Sequence, residues 1–432
     1  MKILLHKAKI FDTNSPYHLK KKNIVIENGK ITAITDDFST DKNYTIIESP
    51  DLSVSPGWID MQCVFGEPGF EQKETIESGL NCAAAGGFTA VAVHSNTNPP
   101  IHNRPVVEYL IKQSKDNIVD LLPVGTITHQ QKGEDLAEMY DMKLGGAVAF
   151  SDYKQSIKNT HLLMRAMLYA QNINALLILH ANDFYLSQHG QMNENEMSAY
   201  LGLKGIPYIA ETIYLQIIIE LLEYYPDVRI HIPIISCKRS VELIKQAKNK
   251  GLQITCGTGT QYLYFNDTAL KDFDTNFKLM PPLRTEEDRK ALIKGLINRT
   301  IDVLVSDHQP QDEESKNLEF DLADFGMINL QTAFSVANTV ISEEQIVTLV
   351  DALSNQPRKI LQLPENTIRE NTLANITIFD PSTPFKFHSG INHSLSHNSP
   401  FFDIELKGSV IGIINKGKVH FNKLPALEKV KT

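Results

Sequence analysis

Apolar and polar positions alternate with a period of two along the N-terminal segment of the chain, which is typical of β-strands with one buried face. Strands are predicted over residues 2–11, 23–27 and 30–34. The second and third flank Asn28-Gly29, a pair that tolerates the positive φ angles of a tight turn. We therefore expect this segment to be all-β, with a hairpin at its centre.

The C-terminal segment shows the same alternation. Residues 374–379 and 410–415 are predicted strands, and Lys416-Gly417 provides a second tight turn. Residues 388–400, between them, are rich in Ser, His and Asn, and this composition predicts an irregular surface loop. Because neither end of the chain is long enough to enclose a complete core, we expect the two ends to pair.

The period changes between the two ends, where short apolar stretches alternate with helical ones. Predicted helices include residues 75–85, 135–142, 211–224 and 241–248. Predicted strands end near Val64, His94, Val124, Phe150, His180, Pro233, Cys256 and Ser306. This succession of strand and helix units is typical of an α/β fold with a parallel sheet.

Two domains follow from this pattern. We predict a (β/α)₈ TIM barrel over residues 54–364, and a small β-sandwich domain formed jointly by residues 1–53 and 365–432. In barrels of this kind the active site lies at the C-terminal ends of the strands. Those strand ends are therefore the candidate positions for chemistry.

Composition excludes several classes of function. The 432 residues carry a net charge of −9, which argues against a surface that follows nucleic-acid phosphates. The longest apolar run, residues 215–219, is too short to cross a bilayer, and the N-terminus turns polar too early for a signal peptide. The cysteines are scattered, with no Cys-x-x-Cys pair, which suits a reducing compartment. We expect a cytoplasmic protein with no nucleic-acid or membrane partner.

A series of motifs near the strand ends narrows the function. In chain order they are Pro56-Gly57 with Ile59-Asp60, Glu67-Pro68-Gly69, Lys73-Glu74-Thr75, Gly86-Gly87-Phe88-Thr89, Asn96-Thr97-Asn98-Pro99, Ser151-Asp152, Pro281-Pro282-Leu283-Arg284 and Asp307-His308-Gln309-Pro310. With their flanks these motifs extend over nearly the whole chain, and together they resemble dihydroorotase of the amidohydrolase superfamily, the long bacterial type. The resemblance implies hydrolysis of a cyclic amide in pyrimidine biosynthesis.

The resemblance also implies a set of zinc ligands. They are His-x-His on the first barrel strand, an acid on the fourth, histidines on the fifth and sixth, and on the eighth an Asp that is also the general base. Zinc would lower the pKa of bound water so that hydroxide attacks the amide. Asp152, His180 and Asp307 match the fourth, fifth and eighth strands. Hydrocarbon or a weak donor stands at the other ligand positions, Gln62, Val64 and Ile234. We therefore interpret the matching residues as vestigial and expect no bound cofactor.

The substrate-binding positions implied by the resemblance are changed as well. The arginine that holds the substrate carboxylate would stand at Gly66, an asparagine at Met280 and a histidine at Gln311. Asn96 remains as a polar contact, in a vestigial role. No cation is left at the matching positions for an anionic substrate, and such pairing depends on Arg or Lys geometry.

Structural roles are an alternative for the same residues. His180 and Asp307 are either residual metal ligands or a buried pair hydrogen-bonded to each other, and we favour the pair. Asp152 is either a ligand or a cap at the end of its strand. Residues 73–75 are interpreted as an ordinary helix start with a charged face.

Three hypotheses follow for the function. The main one is a dihydroorotase-like protein that has lost catalysis and has a structural or regulatory role, as a dimer and with aspartate transcarbamoylase as candidate partner. The alternative is an active cyclic amidohydrolase of dihydroorotase, hydantoinase or allantoinase type, with one zinc ion on Asp152 and His180 and with Asp307 as base. The third is a sensor that binds a ligand in the barrel.

Overall fold

The computed structural model describes residues 2–37 and 44–422 of the chain. Residues 38–43 and 423–432, which belong to the predicted β domain, lie outside the described residues. The described strands, in chain order, are β1 (Lys2–Ile10), β2 (Lys21–Glu27), β3 (Lys30–Thr35), β4 (Thr45–Ile47), β5 (Ser53–Pro56), β6 (Trp58–Cys63), β7 (Phe88–Val93), β8 (Asp120–Gly125), β9 (Ala149–Phe150), β10 (Leu176–Ile178), β11 (Met192–Asn193), β12 (Gly205–Ile206), β13 (Arg229–Ile232), β14 (Ile254–Gly259), β15 (Val303–Val305), β16 (Ile376–Lys386), β17 (Glu405–Asn415) and β18 (Lys418–Phe421).

The described helices, in chain order, are α1 (Ile76–Ala85), α2 (Arg104–Ser114), α3 (Met139–Leu144), α4 (Thr160–Asn172), α5 (Phe184–Ser187), α6 (Glu196–Leu201), α7 (Ile209–Tyr224), α8 (Lys238–Asn249), α9 (Gln261–Tyr264), α10 (Glu286–Ile297), α11 (Glu313–Lys316), α12 (Ala333–Val340), α13 (Ile346–Leu353) and α14 (Asn355–Ile360). Short 3₁₀ turns lie at His129–Gln131, Asp267–Asp272, Thr275–Phe277, Glu343–Gln345 and Ser389–Ile391. None of the helices in the described ranges is long and apolar enough to cross a membrane.

The barrel is built from strands that are buried on both faces, as parallel strands covered by helices must be. All six residues of β7, for example, are buried. The strands pair in the order β6, β7, β8, β9, β10, β13, β14, β15. The segment after β15 returns to the first strand, where Val64 N donates to His308 O over 3.0 Å, and this contact closes the ring. The predicted (β/α)₈ barrel is confirmed.

Strands from both ends of the chain form a second sheet, in the order β18-β17-β16-β5-β1-β2-β3, with β4 paired to β1. β5 lies between β16 and β1, so the N- and C-terminal segments share one structure. Its core is separate from that of the barrel and consists mainly of isoleucine. The predicted small β-sandwich from the two ends is confirmed.

The two predicted tight turns pack against each other in this domain. Asn28 and Gly29 have φ angles of 51° and 77°, and Lys416 and Gly417 have φ angles of 52° and 71°. A Cβ atom on Gly29 would lie only 2.6 Å from Gly417 Cα. Glycine is therefore needed at residue 29 both for its φ angle and for this close approach.

Several element boundaries differ from the prediction. β16 and β17, predicted over residues 374–379 and 410–415, span Ile376–Lys386 and Glu405–Asn415, and two further differences lie in the barrel. α3 begins at Met139 and not near residue 135, because the residues before it pair with the segment that follows β8. β14 continues past the predicted end at Cys256 to Gly259, because its last residues pair with β15. In both places, contact with a distant segment overrides the local pattern.

Residues 388–400 form an irregular segment, as predicted, but only part of it lies on the surface. The segment packs across the C-terminal end of the barrel, and buried polar side chains within it include Ser394, Ser396, Asn398 and Ser399. Asn398 Nδ2 donates to Gln309 O over 3.1 Å, and Ser396 Oγ donates to Lys73 O over 2.7 Å. The prediction holds for the exposed residues, such as His388 and His397, and is wrong for the buried ones, because their short polar side chains hydrogen-bond the barrel and not the solvent.

Candidate active site at the barrel mouth

The segments that follow β9 and β15 meet through a buried ion pair. Lys154 Nζ lies 2.9 Å from Asp307 Oδ2, and the two side chains are 11% and 2% exposed. The same ammonium group donates to Gln309 Oε1 over 3.0 Å. Sequence reasoning misses Lys154, because lysine is not a zinc ligand. Its position just after Asp152, at a strand end, is the signal that could have found it.

Asp307 is paired with this lysine and not with His180. Burial raises the pKa of Asp307, and the Lys154 ammonium opposes that rise. His180 Nε2 has no hydrogen-bond partner in the part of the chain that the structure describes. Burial, with a smaller contribution from Lys154, lowers the pKa of His180 to about 3. The predicted hydrogen bond between His180 and Asp307 is wrong, because a carboxylate binds an ammonium more strongly than a neutral imidazole.

Asp152 binds the backbone of the segment after β8. Its Oδ1 accepts from Ile127 N over 2.9 Å and from Thr128 N over 3.0 Å, and its Oδ2 accepts from Thr128 Oγ1 over 2.6 Å. Burial raises the pKa of Asp152 to about 6, against the effect of these hydrogen bonds. Of the two predicted alternatives, these contacts favour the cap at the strand end.

The side chains at the ligand positions that lack a zinc-binding group are buried inside the barrel. Gln62, Val64 and Ile234 are 2%, 2% and 1% exposed. Among the described residues, no three His, Cys, Asp or Glu side chains lie close enough together to hold a metal ion. A zinc centre needs several N, O or S donors at about 2.0–2.3 Å, whereas here an ammonium group binds an oxygen of Asp307. This donor set does not fit a centre with two zinc ions.

A cavity of about 290 Å³ opens above these residues, and it contains part of the predicted substrate site. Asn96, Gln311 and Gly66 all line it, whereas Met280 is partly buried and lies outside the lining. Lys73 also lines the cavity. Its Nζ donates to Gln311 Oε1 over 2.5 Å and lies 3.3 Å from an oxygen of Asp324. The cavity therefore holds a cation, at a position other than those implied for substrate binding.

The backbone around Gly66 leaves no room for the arginine implied at that position. Gly66 O accepts from Phe70 N over 2.7 Å, and Gly66 N donates to Glu74 O over 2.9 Å. A Cβ atom on Gly66 would lie 2.0 Å from Phe70 O. The backbone between Gly66 and Glu74 is thus packed too closely for any side chain at residue 66.

Residues 73–75 begin a helix, as predicted, but Glu74 is not on a solvated face. Glu74 and His308 are both fully buried, with Glu74 Oε2 3.4 Å from His308 Nε2. His308 Nδ1 accepts from Asn329 N over 3.2 Å, which leaves the proton on the nitrogen that faces Glu74. The carboxylate also accepts hydrogen bonds from Ser78 Oγ, Ser394 Oγ and Leu395 N. The predicted helix start is confirmed, and Glu74 has a further role, because it joins this helix start to the C-terminal segment.

The architecture around this mouth is that of cyclic amide hydrolases of known structure. An L-hydantoinase (dihydropyrimidinase) from Arthrobacter aurescens has a TM-score of 0.83 and 22% sequence identity, covering 96% of this chain and 95% of that one. A D-hydantoinase has a TM-score of 0.81 and 20% identity, covering 97% and 95%. At such identities the likeness concerns the fold alone.

Sequence similarity then defines the family. The dihydro-orotase-like family model matches residues 52–240. The dihydroorotase of Acetivibrio thermocellus is 40% identical over 92% of this chain and 94% of its own length. The dihydroorotase of Thermoanaerobacter sp. is 40% identical over 95% of each. The chain belongs to the dihydroorotase-like family of cyclic amidohydrolases.

Proposed function

We propose that this protein is a dihydroorotase-like protein of pyrimidine biosynthesis that has lost metal-dependent ring hydrolysis and has a structural or regulatory role. One observation carries the proposal: the Lys154 ammonium lies 2.9 Å from Asp307 Oδ2. Asp307 is the residue that would have to act as zinc ligand and general base. A carboxylate held by an ammonium group is a weaker base and a poorer ligand. Val64 and Ile234 supply no donor that could compensate.

The proposed role is assembly, with the chain as a dimer and aspartate transcarbamoylase as the partner that the family resemblance implies. Such a role needs an intact fold and an exposed contact surface, and it does not need the mouth chemistry. Tyr185, Tyr200 and Tyr208 are 72%, 84% and 52% exposed. Exposed aromatic side chains of this kind are common where proteins bind each other.

The relatives favour a second candidate, an active cyclic amidohydrolase. Proteins 40% identical over more than nine-tenths of this chain are named dihydroorotase. In this candidate one zinc ion binds Asp152 and His180, and Asp307 acts as base. The substrate would differ from dihydroorotate, because no arginine stands at Gly66 to hold its carboxylate. The hydrogen bonds that both oxygens of Asp152 accept argue against this candidate.

Hydrolysis assays decide between the two candidates. The protein is loaded with zinc, its metal content is measured by elemental analysis, and it is offered dihydroorotate, hydantoin, a dihydropyrimidine and allantoin. The proposal expects no turnover above that of an Asp307→Asn variant, which lacks the general base and so defines the background. Stoichiometric zinc, with turnover that this variant loses, would instead support the active enzyme.

Co-purification tests the assembly role. We expect a complex with the cell's aspartate transcarbamoylase in size-exclusion chromatography, and a change in that enzyme's assembly or activity. Tyr185→Asp tests contact through α5. Tyr224→Asp is its matched control, because Tyr224 is 76% exposed and lies on a different helix, at the C-terminal end of α7. No association and no effect on the transcarbamoylase would remove this role.

A further inference from the structure

Lys154 and Asp307 are brought together by two departures from ordinary backbone geometry. Tyr153, next to the lysine, has a φ angle of 56°, and Asp307 has a φ angle of 50°. Positive φ angles are uncommon for residues other than glycine, and for a bulky residue such as Tyr153 they are strained. Both lie in segments that directly follow a barrel strand. The fold therefore tolerates strain at Asp307 and at the residue next to Lys154.

The Asp307 carboxylate needs a positive partner because it is buried. A carboxylate that is 2% exposed is strongly disfavoured unless a counter-charge or several hydrogen bonds compensate. Gln261 Nε2 contributes only a long contact of 3.5 Å. A second buried carboxylate, Asp60, lies near enough for the charge of Asp307 to contribute to its raised pKa. The surroundings of Asp307 thus demand a cation.

We infer that Lys154 has taken the place of the metal charge in this barrel: its ammonium group is the resident cation of the mouth and keeps divalent ions away from Asp307. The inference deepens the proposed function, and it rests on that function only in assigning no metal to the site. Gln309 binds the ammonium and also lines the cavity. A molecule in the cavity therefore contacts, besides Lys73, an amide that is already bound to a second cation.

A double-mutant cycle measures this pairing on the full-length protein. Lys154→Met and Asp307→Asn are made alone and together, and each protein is unfolded by urea at pH 7. Lys154→Met leaves a buried carboxylate without its counter-charge, so we expect the unfolding equilibrium constant to rise at least about a hundredfold. The double variant has neither charge, and its effect should fall short of the product of the single effects by roughly tenfold or more.

An exposed ion pair provides the matched control. Lys238 Nζ and Glu287 Oε1 lie 2.6 Å apart, but their side chains are 50% and 73% exposed. The same cycle with Lys238→Met and Glu287→Gln should give a coupling factor below about 5. If the coupling between Lys154 and Asp307 is no larger than that of this control pair, the inference is overturned.

Metal titration is a second measurement, and it remains decisive if a single variant does not fold. Wild-type protein is titrated with Co²⁺, followed by visible absorption, and with Zn²⁺, followed by melting temperature, with no substrate present. We expect no response, or a response that Asp307→Asn shares because it comes from the surface. Stoichiometric Co²⁺ with a ligand-field spectrum that Asp307→Asn loses would mean that the ion displaces the lysine, and would overturn the inference.

The two proposals fail in different experiments. Ring hydrolysis by a protein that binds no metal and shows strong coupling would refute the proposed function and leave the assignment of Lys154 intact. Weak coupling in a protein that hydrolyses none of the cyclic amides would do the reverse.

Discussion

The barrel contains two sets of buried polar side chains that differ in how completely their hydrogen-bonding groups are satisfied. In the first set, the framework carboxylates Asp60, Glu74 and Glu211, each side chain accepts hydrogen bonds from a backbone amide and from a hydroxyl group. In the second set, the mouth centre, Gln62 Oε1 and His180 Nε2 have no partner within the described residues.

The difference follows from what each set joins. Asp60 on β6 accepts from Ser306 after β15, where the barrel closes, and Glu211 on α7 accepts from Ser236 after β13. These hydrogen bonds form in every folded molecule, because they connect elements that must meet. The unpartnered atoms of Gln62 and His180 connect no two elements of the described structure, so folding does not depend on their hydrogen bonds. The framework carboxylates are therefore needed for folding even if the residues of the mouth centre, Gln62 and His180, are replaced.

The largest effect is expected when a framework carboxylate is removed. Glu74→Ala removes the acceptor of three donors and the carboxylate that lies 3.4 Å from His308 Nε2, and should lower the free energy of unfolding by about 3–5 kcal/mol. Urea unfolding measures it. Glu77→Ala, on the exposed face of α1, is the matched control and should change stability by less than about 0.5 kcal/mol. Equal effects for the two variants would break the comparison.

A buried lysine extends the comparison from anions to cations. Lys316 Nζ donates to the backbone carbonyls of Thr275, Asp324 and Gly326 over 2.5, 2.9 and 3.1 Å. Burial, and then the nearby Lys278, lower the pKa of Lys316 to about 7, whereas an unfolded chain has a lysine pKa of about 10.4. Between these values the unfolded chain binds a proton that the folded protein has released.

Stability should therefore rise with pH above about 7, and the contribution of Lys316 should be constant below it. We expect a gain of about 1 kcal/mol per pH unit between pH 7 and 9, measured by urea unfolding at several pH values. Lys316→Met should lose this slope, and Lys245→Met, at an exposed position, should keep it. Parallel curves for wild type and Lys316→Met would show that the lysine does not titrate in this range.

The smallest effect is expected at the mouth centre. His180→Leu replaces a buried imidazole whose Nε2 has no partner, and should change the free energy of unfolding by less than about 1 kcal/mol. His231→Leu is the comparison variant, since His231 is equally buried and its Nε2 also has no partner within the described residues, but its Nδ1 bonds Thr255 Oγ1 over 2.9 Å. It should be the more destabilising of the two. A loss of 2 kcal/mol or more at His180 would place that residue in the framework.

Much of the fold could be predicted because the residues that carry the family resemblance belong largely to the framework. Asp60 and Glu74 lie in two of the quoted motifs, and both bind segments that close the barrel. Arg284 of Pro-Pro-Leu-Arg is 4% exposed, and it donates to Asn193 Oδ1 over 2.8 Å and to Ile206 O over 2.6 Å. Motifs of this kind identify an architecture, which is why the barrel prediction is confirmed.

The candidate site was less predictable for a physical reason. Its central contact joins Lys154 to Asp307, which are far apart in the chain. The local pattern of apolar and polar residues cannot predict a contact between such distant residues. The same holds for Lys73 and Gln311. Ligand types could be checked strand by strand, and that check finds Asp152, His180 and Asp307. It does not find a cation that replaces a ligand, because that requires knowing which strand ends face each other.

The order of the strands in the β domain also determines how late in synthesis this domain can complete its sheet. β5 leaves the ribosome before the barrel, yet its partner β16 follows the whole barrel in the chain. Until β16 emerges, β5 presents an open edge, and open edges attract other strands. A strand made after the whole barrel therefore covers the edge of a strand made before it.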